Sequence, residues 1–104
     1  MLMSTTDTIG ERKILKHIGL VRGNTIRARH VGNDIMAGLR NLVGGEVKEY
    51  TKLMAESREQ SIDRMVEEAK NLGANAIIGL RFSTSEIMSG AAEILVYGTA
   101  VVVE

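Results

Sequence analysis

The last thirteen residues, Ala92 to Glu104, place apolar side chains on both faces of what reads as one strand. Strand side chains alternate, so Ala92, Ile94, Val96, Ala100 and Val102 point one way and Leu95, Tyr97, Val101 and Val103 the other. A chain of 104 residues covers one face of its sheet with its own helices but seldom two. The second face is therefore expected to meet another copy of the chain, making the working molecule a homo-oligomer.

This length predicts one domain over residues 1–104, able to bury a core without staples. Cys is absent, which excludes thiolate nucleophiles, thiolate metal ligands and disulfides. Met1-Leu2-Met3-Ser4 has no basic stretch ahead of an apolar run, and no segment approaches the ~20 apolar residues of a membrane span. A soluble cytoplasmic protein is expected, with no membrane partner. Thirteen basic residues balance thirteen acidic ones, so net charge gives no pull toward nucleic acid. The charges are unevenly spread: Glu11 to His30 holds six Arg or Lys against one acid, and Glu46 to Lys70 seven acids against five bases. With only 3% aromatic residues, the core must be built from Ile, Leu, Val, Met and Ala.

Ser4 to Ile9 is Thr-rich and reads as a short edge strand ending in a turn at Gly10. Lys13 to Arg22 alternates Ile14, Ile18 and Leu20 against Leu15, His17 and Val21, a long strand interrupted by a hairpin or bulge at Gly23-Asn24. Asn33-Asp34 offers a cap to a short helix carrying Ile35, Met36, Leu39, Leu42 and Val43, closed by Gly44-Gly45. Glu46 to Leu72 repeats apolar residues at helical spacing, from Val47 and Tyr50 through Met54, Ile62, Met65 and Val66 to Ala69 and Leu72, with Gly73 as its stop. That stripe thins at Ser57, Arg58 and Ser61, which places a polar feature, or an overhang past the sheet, under the middle of the helix. Asn75 to Ser85 is a further strand, with Ile78, Leu80 and Phe82 on one face and Ile77, Gly79 and Arg81 on the other, and Met88-Ser89-Gly90 turns into the last strand.

The chain resembles the YbjQ-like family, small bacterial and archaeal proteins described as "putative heavy-metal-binding" and uncharacterised in function. The likeness is carried by Thr5-Thr6, Val21-Arg22-Gly23 before Ile26, Ala37-Gly38-Leu39-Arg40 leading into Val43-Gly44-Gly45, and Tyr50. It continues through Leu72-Gly73-Ala74-Asn75-Ala76, Gly79 and Gly98-Thr99-Ala100-Val101. The resemblance implies an α+β, two-layer, dodecin-like subunit: an antiparallel sheet packed by one long and one short helix, assembling into a pentameric ring. A metal ion as cofactor is implied by the resemblance only, because no ligand motif stands in the chain.

His17 and His30 are the only imidazoles, thirteen residues apart and without acidic company, so neither spacing nor neighbours point to a metal cluster, although a ring could gather His17 side chains around its axis. Gly44-Gly45-Glu46 opens a helix where anions bind, but it lacks a phosphate-loop pattern and Glu46 would repel an anion. Ser83-Thr84-Ser85-Glu86 and Thr5-Thr6-Asp7 carry hydroxyls and carboxylates with no base at catalytic spacing. Glu59, Asp63 and Glu67 form a carboxylate ladder along the long helix, read as a solvated face. Arg22, Arg27 and Arg29 are expected to face the acidic flank of a neighbouring copy's helix, and Tyr50 to pack its ring on the sheet or to line a pocket. No catalytic residue is assigned. These features favour a non-enzymatic homo-oligomer that binds a small ligand or metal ion, with a ligand-free structural or regulatory scaffold, or an enzyme with an inter-subunit site, as alternatives.

Overall fold

The computed structural model describes residues 1–27, 48–88 and 91–104, and the side chains of the long helix from residue 51 onward. In chain order these residues form β1 (Leu2–Met3), β2 (Ile14–Arg27), α1 (Lys48–Asn71), β3 (Ala76–Met88) and β4 (Ala91–Val103). The sheet order is β1-β3-β4-β2. The central strand β4 is antiparallel to both β3 and β2, and β1 adds to β3 in parallel through Leu2↔Ala76 and Met3↔Ile77. The fold is therefore α+β as expected, but the sheet is mixed and not wholly antiparallel. The short helix expected around Ile35 to Val43, with its Gly44-Gly45 end, lies outside the described residues.

β4 owes its central place to the two-faced pattern of its sequence. On the helix side, Val96 and Ala100 join Val21, Ile77, Ala74, Met65 and Ala69 in one buried cluster. On the opposite side, Val101 and Val103 are buried with Ala76, Ile78 and Ile9 in a second cluster, and Ile14 packs against it. One end of the second face, which was expected to meet another copy, is thus covered by the chain's own N-terminal segment. Farther along that face the cover ends: Leu20 is 63%, Ile26 57% and Tyr97 37% exposed.

Ser4 to Ile9 is not a strand. Its hydroxyls bond locally, with Thr6 N–H donating to Ser4 Oγ (3.0 Å) and Thr6 Oγ1 to Thr8 O (2.9 Å), and such bonds hold the backbone in turns. The segment still guards an edge, because Ser4 N–H donates to Ile77 O, Leu80 N–H to Ser4 O and Gly79 N–H to Thr6 O. Gly79 takes φ +62°, and the β3–β4 register slips between Ile78 and Arg81. The slip changes the alternation read from sequence. Ile77 and Leu80 pack with the helix-side cluster and Ile78 with the opposite one.

β2 likewise runs farther than its sequence suggests, through Gly23-Asn24 to Arg27. Gly23 pairs with Val96 in an unbroken ladder and makes no turn. Its role is clearance: an added Cβ would collide with the Ser61 carbonyl and the Met65 amide of α1. The bulges of β2 lie earlier, between Ile14 and Lys16 and between His17 and Gly19. They put Ile18 with the helix-side cluster and leave Leu15 and Leu20 exposed.

α1 ends as the sequence predicts. Gly73 takes φ +87°, Ala74 N–H donates to Ala69 O and Gly73 N–H to Lys70 O (both 3.0 Å), a Schellman closure completed by burial of both Ala69 and Ala74 in the same cluster.

Candidate functional site

Where the apolar stripe of α1 thins, the helix meets β2 through hydroxyls. Ser57 and Ser61 are fully buried and Thr25 nearly so. Ser57 Oγ donates to Leu53 O (2.8 Å) and accepts from Arg27 Nε (2.6 Å). Ser61 Oγ has the Ser57 and Ile94 carbonyls as acceptors at 2.9 and 3.2 Å, and Thr25 Oγ1 lies 3.1 Å from Ser61 Oγ and 3.2 Å from Ser57 O. Because every buried side-chain N or O atom among the described residues has a partner, burial of these hydroxyls leaves no desolvation penalty uncompensated. The bonded partners are carbonyls, another hydroxyl and a guanidinium, none of them a base, so the cluster is a polar seam and not an activated nucleophile. The thinning stripe pointed to this feature; the part of Thr25 was not legible, since a Thr in a strand reads as an ordinary β-former.

At the end of that seam Arg27 reaches along the helix, its Nη2 donating to Gln60 Oε1 (3.1 Å). With Ala55, Glu56, Glu59 and Asp63 it lines a shallow cleft on the outside of α1. Arg27 thus lies beside the acidic flank of its own helix. Glu59 and Asp63 of the carboxylate ladder come together there, opposite a cation; Glu67 is not in the cleft. Among the described residues no three His, Cys, Asp or Glu side chains gather as a metal-ion donor set.

The other candidates stay apart. His17 is exposed on β2 at a bulge, and Arg22 is exposed on the uncovered face opposite Tyr97. Ser83, Thr84, Ser85 and Glu86 are exposed on β3. Thr5, Thr6 and Asp7 sit in the N-terminal turns, where the Thr5 carbonyl accepts from Arg81 Nη1 (2.7 Å). His30, Arg29 and Gly44-Gly45-Glu46 lie outside the described residues, as does the side chain of Tyr50.

What remains is surface of a particular kind. Leu20, Arg22, Asn24 and Ile26 of β2 lie opposite Thr99, Tyr97, Leu95 and Glu93 of β4, forming a sheet face that no described element covers. Asn24 Nδ2 donates to Glu93 Oε2 across it (3.0 Å). Beyond Leu80, the outer edge of β3 from Arg81 to Met88 has no strand beside it among the described residues, and Phe82, Ile87 and Met88 are 44–66% exposed there. β2 forms the opposite edge of the sheet.

This two-layer fold spans nearly the whole length of the relatives it resembles. A family model described as "putative heavy-metal-binding" matches residues 1–104. The chain belongs to the YbjQ family. It is 56% identical over 104 residues to a UPF0145 protein of Dehalococcoides mccartyi, covering 100% of both chains. It is also 56% identical over 101 residues to one of Methanosarcina acetivorans, covering 97% of this chain and 95% of that one. A UPF0145 protein of Archaeoglobus fulgidus is 52% identical over 101 residues, covering 97% and 94%. Among solved structures, a Pediococcus pentosaceus protein with unknown function from the DUF74 family superposes with a TM-score of 0.65 at 15% identity, covering 100% of this chain and 98% of that one. That likeness carries the fold alone.

Proposed function

We propose that the chain works in the cytoplasm as a ring-forming homo-oligomer, of five copies by family resemblance, which binds a small ligand or metal ion between its subunits and catalyses no reaction. The observation that carries this reading is the sheet face that no described element covers: Leu20, Tyr97 and Ile26 are exposed there, with Arg22, Asn24 and Glu93 among them. Large apolar side chains exposed together on one face and rimmed by polar residues mark an interaction site. The family description supplies the metal. The described donors of one chain do not converge, which favours a metal site shared between copies, and His17 is the exposed imidazole among the described residues.

Native mass spectrometry of untagged protein prepared without chelators tests both halves. A ring with a bound mass at stoichiometric occupancy is the expected result; a clean apo-oligomer across several preparations favours the scaffold alternative, and a monomer at micromolar concentration overturns the proposal. Isothermal titration with zinc, nickel and copper, repeated on His17→Ala, tests the imidazole, whose part in binding ends if the variant binds as the parent does.

A further inference from the structure

We infer that the row Arg22, Tyr97 and Arg81 across the uncovered sheet face binds a small phosphate monoester carried on a planar ring, the ring against Tyr97 and the phosphate between the two guanidinium groups. The inference rests on the ligand-binding half of the reading above and names the class of ligand, and it needs the residues of one copy only. Arg22 pairs with Tyr97 across β2 and β4, and Tyr97 with Arg81 across β4 and β3, so the three stand in one line on the same face. All three are exposed. Adjacent strands lie ~4.8 Å apart, which sets the two arginine backbones ~10 Å from each other with an aromatic side chain between them.

Charge selects the ligand. Among the described residues Arg22 has no hydrogen-bond or ion-pair partner. Arg81 is pinned at one nitrogen: its Nη1 donates to Thr5 O (2.7 Å) and to Leu80 O (2.8 Å), which uses both protons there and leaves those on Nη2 and Nε free. A guanidinium held by backbone carbonyls is set in place before a ligand arrives, so less conformational freedom is lost on binding. The acid that β4 puts on this face, Glu93, lies two rows away, and its Oε2 already accepts from Asn24 Nδ2 (3.0 Å). Two cations with no acid in their row repel a metal ion and attract a dianion, and a phosphate monoester carries a charge of about −1.5 to −2 at pH 7. The planar fork of each guanidinium matches phosphate oxygens. Tyr97, with Leu95 along its strand and Leu20 on the diagonal, offers flat and mostly apolar surface for a ring. A nucleic-acid backbone fits less well, because the basic row runs across the strands and is bounded along them by Leu20, Leu95 and Ile26.

Isothermal titration of the full chain with phenyl phosphate tests the row, with inorganic phosphate and phenol as the two halves of the probe. Phenyl phosphate should bind at least about tenfold more tightly than either half, and more weakly as NaCl is raised. Arg22→Gln and Tyr97→Leu should each weaken it by at least about tenfold. Tyr97→Phe, which keeps the ring, and Arg58→Gln, which removes an exposed arginine from the helix, should stay within about twofold of the parent. Arg81→Gln also leaves the Thr5 carbonyl without its donor, so Arg81→Lys accompanies it; the lysine, with the charge but not the fork, should lose less than the glutamine. No binding of phenyl phosphate at millimolar concentration, equal affinity for inorganic phosphate, or equal losses in Arg22→Gln and Arg58→Gln would each overturn the inference. So would an Arg22→Gln variant that leaves the native assembly yet binds phenyl phosphate as the parent does, because Arg22 would then belong to a contact between copies. Tighter binding of an oligothymidylate than of phenyl phosphate would give the row to single-stranded nucleic acid instead. Native mass reads the oligomer separately: an intact assembly that ignores phenyl phosphate sinks this inference and leaves the assembly standing, whereas a monomer that binds it does the reverse.

Discussion

The two ends of the sheet follow opposite rules. Where the C-terminal half of α1 crosses Val21, Val96 and Ala100, Met65 and Ala69 are fully buried, Gly23 gives the helix backbone its room and the Schellman closure fixes the exit. At the other end, Ile26, Ile87 and Met88 are half exposed or more. The same strands supply both regions, so the difference lies in what covers them and not in their β-propensity. Its lesson is that one strand can be core along one stretch and surface along the next, according to what packs on it.

Substitutions should break this contrast unevenly. Met65→Ala removes a fully buried side chain from the sealed end and is expected to cost about 2–5 kcal/mol in urea denaturation. A loss under 1 kcal/mol would mean that the helix is not anchored there. Gly23→Ala drives a methyl into the Ser61 carbonyl and Met65 amide, backbone atoms that cannot rotate aside, and should cost about 3 kcal/mol, the upper end for overpacking. Wild-type stability in that variant would show that α1 rides higher on the sheet. Ser61→Ala, read by the same denaturation, is expected to lose about 1 kcal/mol, since Thr25 Oγ1 keeps Ser57 O as a partner. At the open end, Met88→Ser should change the stability of the dilute subunit by less than about 0.5 kcal/mol. A larger loss that grows with protein concentration would sharpen the contrast, by placing Met88 inside the assembly.

Much of the sealed end was legible from sequence. The helical spacing of Met65, Ala69 and their neighbours marked the end of α1 to within one residue, and Gly73 marked its stop, because both signals are local. The gap at Ser57 and Ser61 correctly announced a polar contact. Strand phase was less legible: the bulges near Gly79 in β3 and Gly19 in β2 each shift the alternation, and a period of two carries no warning of a slip. Gly23 was misread as a turn because a clearance glycine and a turn glycine look the same in a sequence. That Arg27 bonds Ser57 and Gln60 of its own helix was not legible, since sequence gives charge and not distance.

By itself the sequence determined that β4 is apolar on both faces, that one long helix must cover the sheet, and that thiol chemistry has no part, since all three follow from residue type and spacing. Only the tertiary structure decided how the second face is divided. Ile9 and Ile14 fold back over Val101 and Val103, and Leu20 and Tyr97 are left in the open. That division depends on contacts between residues near opposite ends of the chain, and no local pattern encodes where such contacts stop.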